Sequence, residues 1–263
     1  MLRLLAGLCC SLLLSQAVQA QATRTVRVLT YNIHHCLGGD NKLDVERIGR
    51  VIKSVDPDVV ALQEVDVKTK RSFREDQAAT LARQLGMYVG FAKAIPFDEG
   101  EYGNCILSKS PIEDFQSHVL SRTEGRETRV VAVAQIPLGG DEPRINFLCT
   151  HLDHSNETVR LEQVFALNRI AGDLPRSPTI LAGDLNAAPE SRTMTRLRGM
   201  WTDSAPEKAA NTFSAEKPST RIDYVLYRQA PGWKVREQRV LDESVASDHR
   251  PLLTIFEFPE PKR

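Results

Sequence analysis

Short runs of β-branched and other apolar residues recur along the chain, at Val26–Tyr31, Val59–Leu62, Asn104–Leu107, Val130–Ile136, Ile145–Thr150, Thr179–Ala182, Ile222–Tyr227 and Leu252–Phe256. They are short, and several alternate with period two, which predicts strands. Between some of them the spacing changes. Val45, Ile48, Val51, Ile52 and Val55 recur at three- and four-residue intervals and Pro57 closes the run, which predicts a helix. Gln77–Leu85 is rich in helix formers and stops at Gly86. A third helix is expected to be capped by Ser155 or Asn156, to carry Val159, Val164, Phe165 and Ile170, and to stop at Gly172. A fourth, short helix is expected to begin at Pro189 and to carry Met194 and Leu197. Strands outnumber helices, and each half of the chain holds two helices. That favours a layered α/β or α+β sandwich over a regular alternating wheel.

The chain has 263 residues, 41% of them hydrophobic and 26% charged, which suits one globular domain with a core large enough to need no disulfides. The first twenty residues stand apart. Arg3 gives a positive start, Leu4 to Leu14 form a short apolar run, and Val18-Gln19-Ala20 supplies small residues of the cleavage-site type. This is the layout of a secretory signal peptide over residues 1–20, followed by one domain over residues 24–259, and it predicts a secreted or periplasmic protein. No later stretch approaches a membrane span, so no integral membrane segment is expected after cleavage. Removal of residues 1–20 takes one of the 34 basic residues and none of the 34 acidic ones, leaving a net charge of −1. A protein that relied on wide nucleic-acid contact would carry a basic surplus. Three cysteines remain, Cys36, Cys105 and Cys149, too few for a disulfide framework and without zinc spacing. A monomer is the default expectation.

Polar residues gather just past the strand-like runs, where a rigid sheet delivers side chains to a cleft. Asn32 follows VLTY, Gln63 and Glu64 follow VVAL, His151 and Asp153 follow NFLCT, and Asp184 and Asn186 follow ILAG. Asp223 lies in TRIDYVLY, and Asp248-His249 precede PLL. Glu64, Asp184, Asp223 and Asp248 are carboxylates beside buried runs, where an unpaired charge is costly. A hard divalent cation takes such oxygen ligands together with water and phosphate. With histidines nearby and no nucleophile elbow or phosphate loop, the set points to metal-assisted hydrolysis at phosphorus. Asp184 and Asn186 would face the same way if the backbone between them is extended, although GDLN alone is also ordinary turn chemistry. Asp223 has the alternative of pairing with Arg221, and the basic Lys68–Arg74 stretch reads as a solvated loop.

The series TYNIHH, VVALQEVD, YGNCILSKSPI, FLCTHLDH, ILAGDLNAAP, STRIDYVLY and SDHRPLL closely resembles the endonuclease/exonuclease/phosphatase superfamily, in the same order and from about Val26 to Phe256. The resemblance implies a four-layer α/β sandwich, two mixed sheets face to face with helices outside, and hydrolysis of phosphomonoesters or phosphodiesters with Mg²⁺ or Mn²⁺. It casts Asn32, Glu64 and Asp248 as metal-site residues. It gives Asp184, assisted by Asn186, the attacking water, and His249, oriented by Asp223, the phosphate. His151 resembles a general acid, Asn104 a cleft residue, and Arg129 a candidate phosphate contact. His34 departs from the pattern, standing where some relatives place an aspartate near the metal. The expected partner is a phosphate ester: a nucleic acid, a phospholipid or a small phosphodiester. Two alternatives stay open, a nuclease and a lipid or phosphoinositide phosphodiesterase, together with an inert binding module on the same sandwich.

Overall fold

The computed structural model describes residues 23–139, 144–205 and 209–259. The signal-peptide segment lies outside the described residues. Twelve strands and four α-helices follow in the order β1 (Thr23–Asn32), α1 (Val45–Lys53), β2 (Val59–Val67), α2 (Gln77–Leu85), β3 (Tyr88–Phe97), β4 (Gly100–Ser108), β5 (Glu113–Ser121) and β6 (Arg129–Pro137). The second half continues with β7 (Arg144–His151), α3 (Glu157–Asp173), β8 (Thr179–Asp184), α4 (Arg192–Arg198), β9 (Thr202–Asp203), β10 (Asp223–Arg228), β11 (Lys234–Val240) and β12 (Leu252–Pro259). They form two six-stranded sheets, ordered β11-β12-β1-β2-β4-β3 and β5-β6-β7-β8-β10-β9. Both are mixed. The pairs β1–β2 and β7–β8 are parallel, each joined through a helix, and the other neighbours are antiparallel.

Alternation along the central strands builds three cores. Val26 and Val28 of β1, Val59 and Ala61 of β2, Ala132 and Ala134 of β6, Phe147 of β7 and Ile180 and Ala182 of β8 meet between the sheets. The intervening residues turn outward. Leu29, Tyr31, Val60 and Leu62 pack with Ile48 and Ile52 of α1 and Leu81 of α2. On the other sheet Val131, Val133, Leu148, Leu181 and Tyr224 pack with Val164 and Leu167 of α3 and Leu197 of α4. The result is helix, sheet, sheet, helix: the expected four layers. Strands buried on both faces carry unbroken apolar runs, which is why these were the legible ones. The three cysteines among the described residues are buried and free, as packing residues.

The helices follow their caps. Asp44 accepts from the Arg47 amide and Asp76 from the Ala79 amide, starting α1 and α2, and Gly86 in the left-handed region (φ 66°) ends α2. Three expectations need correction. Asn156 caps α3 as expected, but Gly172 lies inside the helix, which continues to Asp173. Phe165 is 64% exposed, because the buried stripe runs through Val159, Gln163, Val164, Leu167 and Ala171. Gln163 is part of that stripe because its amide bonds the Asp153 N–H and the Ser121 hydroxyl. The fourth helix starts at Arg192, capped by Ser191, and not at Pro189.

Gly183 is required by close approach between β7 and β8. A Cβ there would lie 2.0 Å from the Thr150 carbonyl oxygen, well inside contact distance. Gly183→Ala is therefore expected to destabilise the protein by about 1–3 kcal/mol, as overpacking in a rigid core does. Urea denaturation against the parent measures it.

Candidate active site

The parallel pairs both end at one edge of the layer between the sheets, and there the strand register places the polar residues. His151 ends β7, Asp184 ends β8 and Asp223 begins β10; Asp184 is the Cα partner of both others. The three thus form one row across sheet two. By alternation they share the face of Phe147, Ala182 and Val225, the face turned toward sheet one. Asn32, at the end of β1, comes from the opposite sheet on the same terms.

Glu64 does not. Alternation from Val60 and Leu62 would send residue 64 into the helix-side core. Instead β2 bulges opposite Asn104, Glu64 takes φ 58°, and Val65 fills that core position. One extra residue has been inserted in the strand, and it swings the Glu64 carboxylate to the cleft, as bulges beside active sites do. A left-handed glutamate costs on the order of 1 kcal/mol or more, so the surrounding strand pairing must hold it there.

Asn32 is the hub. Fully buried, its Nδ2 donates to Glu64 Oε1 at 3.0 Å and Asp184 Oδ2 at 3.1 Å, and lies 3.4 Å from His249 Nε2. Its Oδ1 accepts from the His34 amide, and its carbonyl from Ser247 Oγ. Asp184 Oδ2 lies 3.4 Å from His151 Nε2 and 3.6 Å from His249 Nε2, while Oδ1 accepts from the Asn186 amide at 2.9 Å. His249 Nδ1 donates to Asp223 Oδ2 at 2.9 Å, and the Phe213 ring packs 4.9 Å from its centroid. The six stretches converge.

Burial sets the charges. Asp184, 1% exposed, is raised to about 7, by desolvation first, with the nearby Asp223 charge adding to it and the His249 charge opposing. Burial alone would lower His249, but the carboxylates of Asp223 and Asp184 overcome it and raise the imidazole to about 10. His151 is pushed well below its usual value by burial and by the positive fields of Arg129 and His249. His35 is lowered to about 4, mainly by burial, with Arg71 contributing. Two buried atoms of the cleft, His151 Nδ1 and Asp223 Oδ1, find no hydrogen-bond partner among the described residues.

Other expected residues have different places. Asn186 is not extended: it sits at φ 48°, its amide closing a turn onto Asp184 and its Nδ2 donating to the Leu152 carbonyl. It therefore holds Asp184 from behind, as turn chemistry does, and the two side chains do not share an extended face. Asp223 does not pair with Arg221, which binds Asp203 instead. Asn104 is 3% exposed and donates to the Val130 carbonyl across the sheets. Arg129 is buried at the start of β6 with its Nε unpartnered. Asp248 is half-exposed, 3.9 Å from His34 Nδ1. Gln63 is a tie between the sheets, bonded with Thr30 and Cys149, and Asp153 caps the turn before α3. In the basic loop Arg71 makes a bidentate pair with Asp66 beneath Phe97, and Lys70 and Arg74 both bind Glu99, so three of the loop's four cations are paired. Phe213, Thr212 and Ser247 were missed; Thr212 Oγ1 accepts from the Asp223 amide. They lie in irregular segments with no periodicity to single them out.

Carboxylates that converge with too few cations nearby suit a divalent ion. One group, Asp184, Asp223 and His249, is buried, with candidate ligand atoms within 4.8 Å of one another. Those atoms are largely engaged with each other. Glu64 and Asp248, more exposed, hold freer oxygens.

Two mixed sheets face to face, with a carboxylate–imidazole cluster at the open edge between them, define a four-layer α/β sandwich of hydrolase type. Over residues 29–249 the chain matches the Endonuclease/Exonuclease/phosphatase family, and it belongs to that family, whose members are hydrolases acting on phosphate esters. The Escherichia coli (strain K12) protein YbhP is 26% identical over 242 residues, covering 86% of this chain and 94% of YbhP. The endonuclease/exonuclease/phosphatase from Beutenbergia cavernae DSM 12333 superposes with a TM-score of 0.74 at 24% identity, over 90% of this chain and 72% of that one. The mannosyl-6-phosphatase Bt3783 of Bacteroides thetaiotaomicron VPI-5482 gives a TM-score of 0.71 at 19% identity, over 88% and 99%. No helix among the described residues is long and apolar enough to cross a membrane.

Proposed function

We propose that this protein is a divalent-metal-dependent hydrolase that cleaves phosphate esters by in-line attack of water. The observation that carries the reading is the row His151–Asp184–Asp223 on one sheet meeting Asn32 and Glu64 from the other, with His249 locked between Asp223 and Asp184. Glu64 and Asp248, bridged to the rest through Asn32 and Ser247, would hold Mg²⁺ or Mn²⁺. When bound, such an ion neutralises charge on the phosphate and on the leaving oxygen.

Asp184, with one oxygen tied to the Asn186 amide, presents the other to the attacking water and takes its proton. Asn32 keeps that oxygen aimed into the cleft. His249 is cationic at neutral pH and donates from Nε2 to a phosphate oxygen, held in orientation by Asp223. His151 is neutral in the free protein and gains its proton once an anionic phosphate lies against it, which suits it to protonate the leaving oxygen. Arg129, behind His151, supplies positive field. This full set of roles weighs against an inert binding module.

The substrate reading favours a small phosphate ester over nucleic acid. The chain has no basic surplus, and three of the four cations in the Lys68–Arg74 stretch are engaged by Asp66 and Glu99. The mannosyl-6-phosphatase among the fold relatives is consistent with a compact substrate.

A panel of sugar phosphates, an aryl phosphodiester, sphingomyelin, phosphoinositides, RNA and plasmid DNA, each with Mg²⁺ or Mn²⁺, tests the reading. Cleavage is expected of at least one small ester, is expected to stop with chelator, and to return when the metal is restored. Activity that persists in chelator sinks the metal-dependent mechanism; preferential cutting of DNA or RNA favours the nuclease alternative.

A further inference from the structure

The segment His34-His35-Cys36 follows Asn32 and does something L-residues avoid. All three take left-handed conformations, with φ of 44°, 42° and 63°. Each such residue costs on the order of 1 kcal/mol or more, so the surroundings must impose the turn. They do: the Cys36 amide bonds the Ile33 carbonyl, the Leu37 amide the His34 carbonyl, the Asp44 amide the Cys36 carbonyl, and Gln77 Nε2 the His35 carbonyl at 2.7 Å. A glycine at one of these positions would relieve the strain, yet the chain carries imidazoles. The turn delivers both rings to Glu64. One donor atom from each of His34, His35 and Glu64 lies within 4.8 Å of the others.

The rings are prepared as ligands. His34 Nδ1 lies 3.1 Å from the Leu37 carbonyl, which can only accept, so the proton sits on Nδ1 and Nε2 keeps its lone pair. An N–H donated to a backbone carbonyl is the usual support for a metal-binding histidine. His35 is more than nine-tenths buried, and its Nδ1 has no hydrogen-bond partner, an expensive state for a polar atom unless something binds there. The two rings meet edge to face at 4.6 Å.

We infer that His34, His35 and Glu64 form a mixed nitrogen–oxygen site that takes a first-row transition ion in preference to Mg²⁺. Imidazole nitrogen suits Zn²⁺, Fe²⁺, Ni²⁺ and Cu²⁺, and Mn²⁺, the weakest binder of that series, still accepts it, whereas Mg²⁺ demands oxygen and keeps its waters. The inference rests on the proposed metal-dependent reading and adds which ion this chain selects and which residues do the selecting. It also assigns a purpose to the imidazoles of His34 and His35, which the proposed reaction does not otherwise use.

The test uses the full chain loaded with Mn²⁺ alone and read by pulsed electron paramagnetic resonance. Nitrogen coupling to the bound ion is expected in the parent and is expected to weaken in His34→Asp and again in His34→Asp/His35→Asn. Aspartate and asparagine tolerate the left-handed backbone, which protects the turn. Calorimetric titration should show the ratio of Mn²⁺ to Mg²⁺ affinity falling on the order of tenfold in His34→Asp, the scale of changes to a metal's surroundings. Failure of Mn²⁺ to bind, or nitrogen coupling that is absent in the parent or undiminished in the double variant, overturns the inference. Ester cleavage with Mg²⁺ alongside that outcome leaves the proposed function standing; nitrogen coupling without cleavage of any ester removes the function and keeps the site.

Discussion

Asp184→Asn is expected to lower kcat/KM by about 10²–10⁴-fold, the usual contribution of a positioned proton acceptor. The substitution keeps an oxygen for the Asn186 amide, so the turn behind residue 184 survives. It replaces the other oxygen, which lies among Asn32, His151 and His249, with a donor that cannot accept the proton of water. The fold should persist, because β7, β8 and β10 pair through their backbones. A cooperative thermal melt checks that point, and steady-state rates on the best substrate check the loss. Retention of more than a tenth of the parent rate would take Asp184 out of the chemistry.

The second large effect is a pH dependence and its alteration. Asp184 must be ionised to accept a proton, and it is raised to about 7, so the rate should climb as pH rises through that region. His249 must be protonated to donate to phosphate, and it is raised to about 10, so the rate should fall as pH approaches that value. The two groups lie 3.6 Å apart and titrate as a pair, so the limbs of the bell belong to both. A bound cation would move both limbs to lower pH, since it favours the carboxylate and disfavours the imidazolium. Asp223→Asn removes the charge that contributes most to raising His249. The alkaline limb should then move to lower pH, with kcat/KM at neutral pH down by about 10²-fold or more. The pH–rate profiles of parent and variant, recorded with one metal at saturation, show whether the limb moves. An unmoved alkaline limb would mean that His249 does not act through its proton.

Several parts of this protein were legible from residue order alone, for a common physical reason. The eight core strands are buried on both faces, so Val59–Leu62 or Thr179–Ala182 reads as an unbroken apolar run whatever its neighbours. Helices α1 and α2 announce themselves through three- and four-residue spacing and through Gly86, because capping and amphipathicity are local. The candidate polar residues follow from their position after those runs, since sheet ends are where side chains reach a cleft. The edge strands were not legible. Glu113–Ser121 and Lys234–Val240 are largely exposed and rich in polar residues, and Tyr88–Phe97, though apolar, is largely exposed and interrupted by Gly90 and Pro96; pairing with an inner strand holds all three extended.

The site divides along the same line. Chain order placed Asn32, Glu64, His151, Asp184, Asp223 and His249 beside apolar runs, although Glu64 lies inside β2 and His249 in the segment before β12, and the ordered motifs implied the family and the four layers. Tertiary structure alone decided how they meet. The register of β7, β8 and β10 aligns His151, Asp184 and Asp223 in a single row, and register depends on pairing between residues 33 apart (His151 with Asp184) and 39 apart (Asp184 with Asp223) in sequence. The bulge in β2 turns Glu64 out of the helix-side core, and the left-handed turn at 34–36 brings two imidazoles beside it. Backbone strain of that kind is imposed by surrounding packing and distant hydrogen bonds, such as Gln77 to the His35 carbonyl, so no local pattern of residues encodes it.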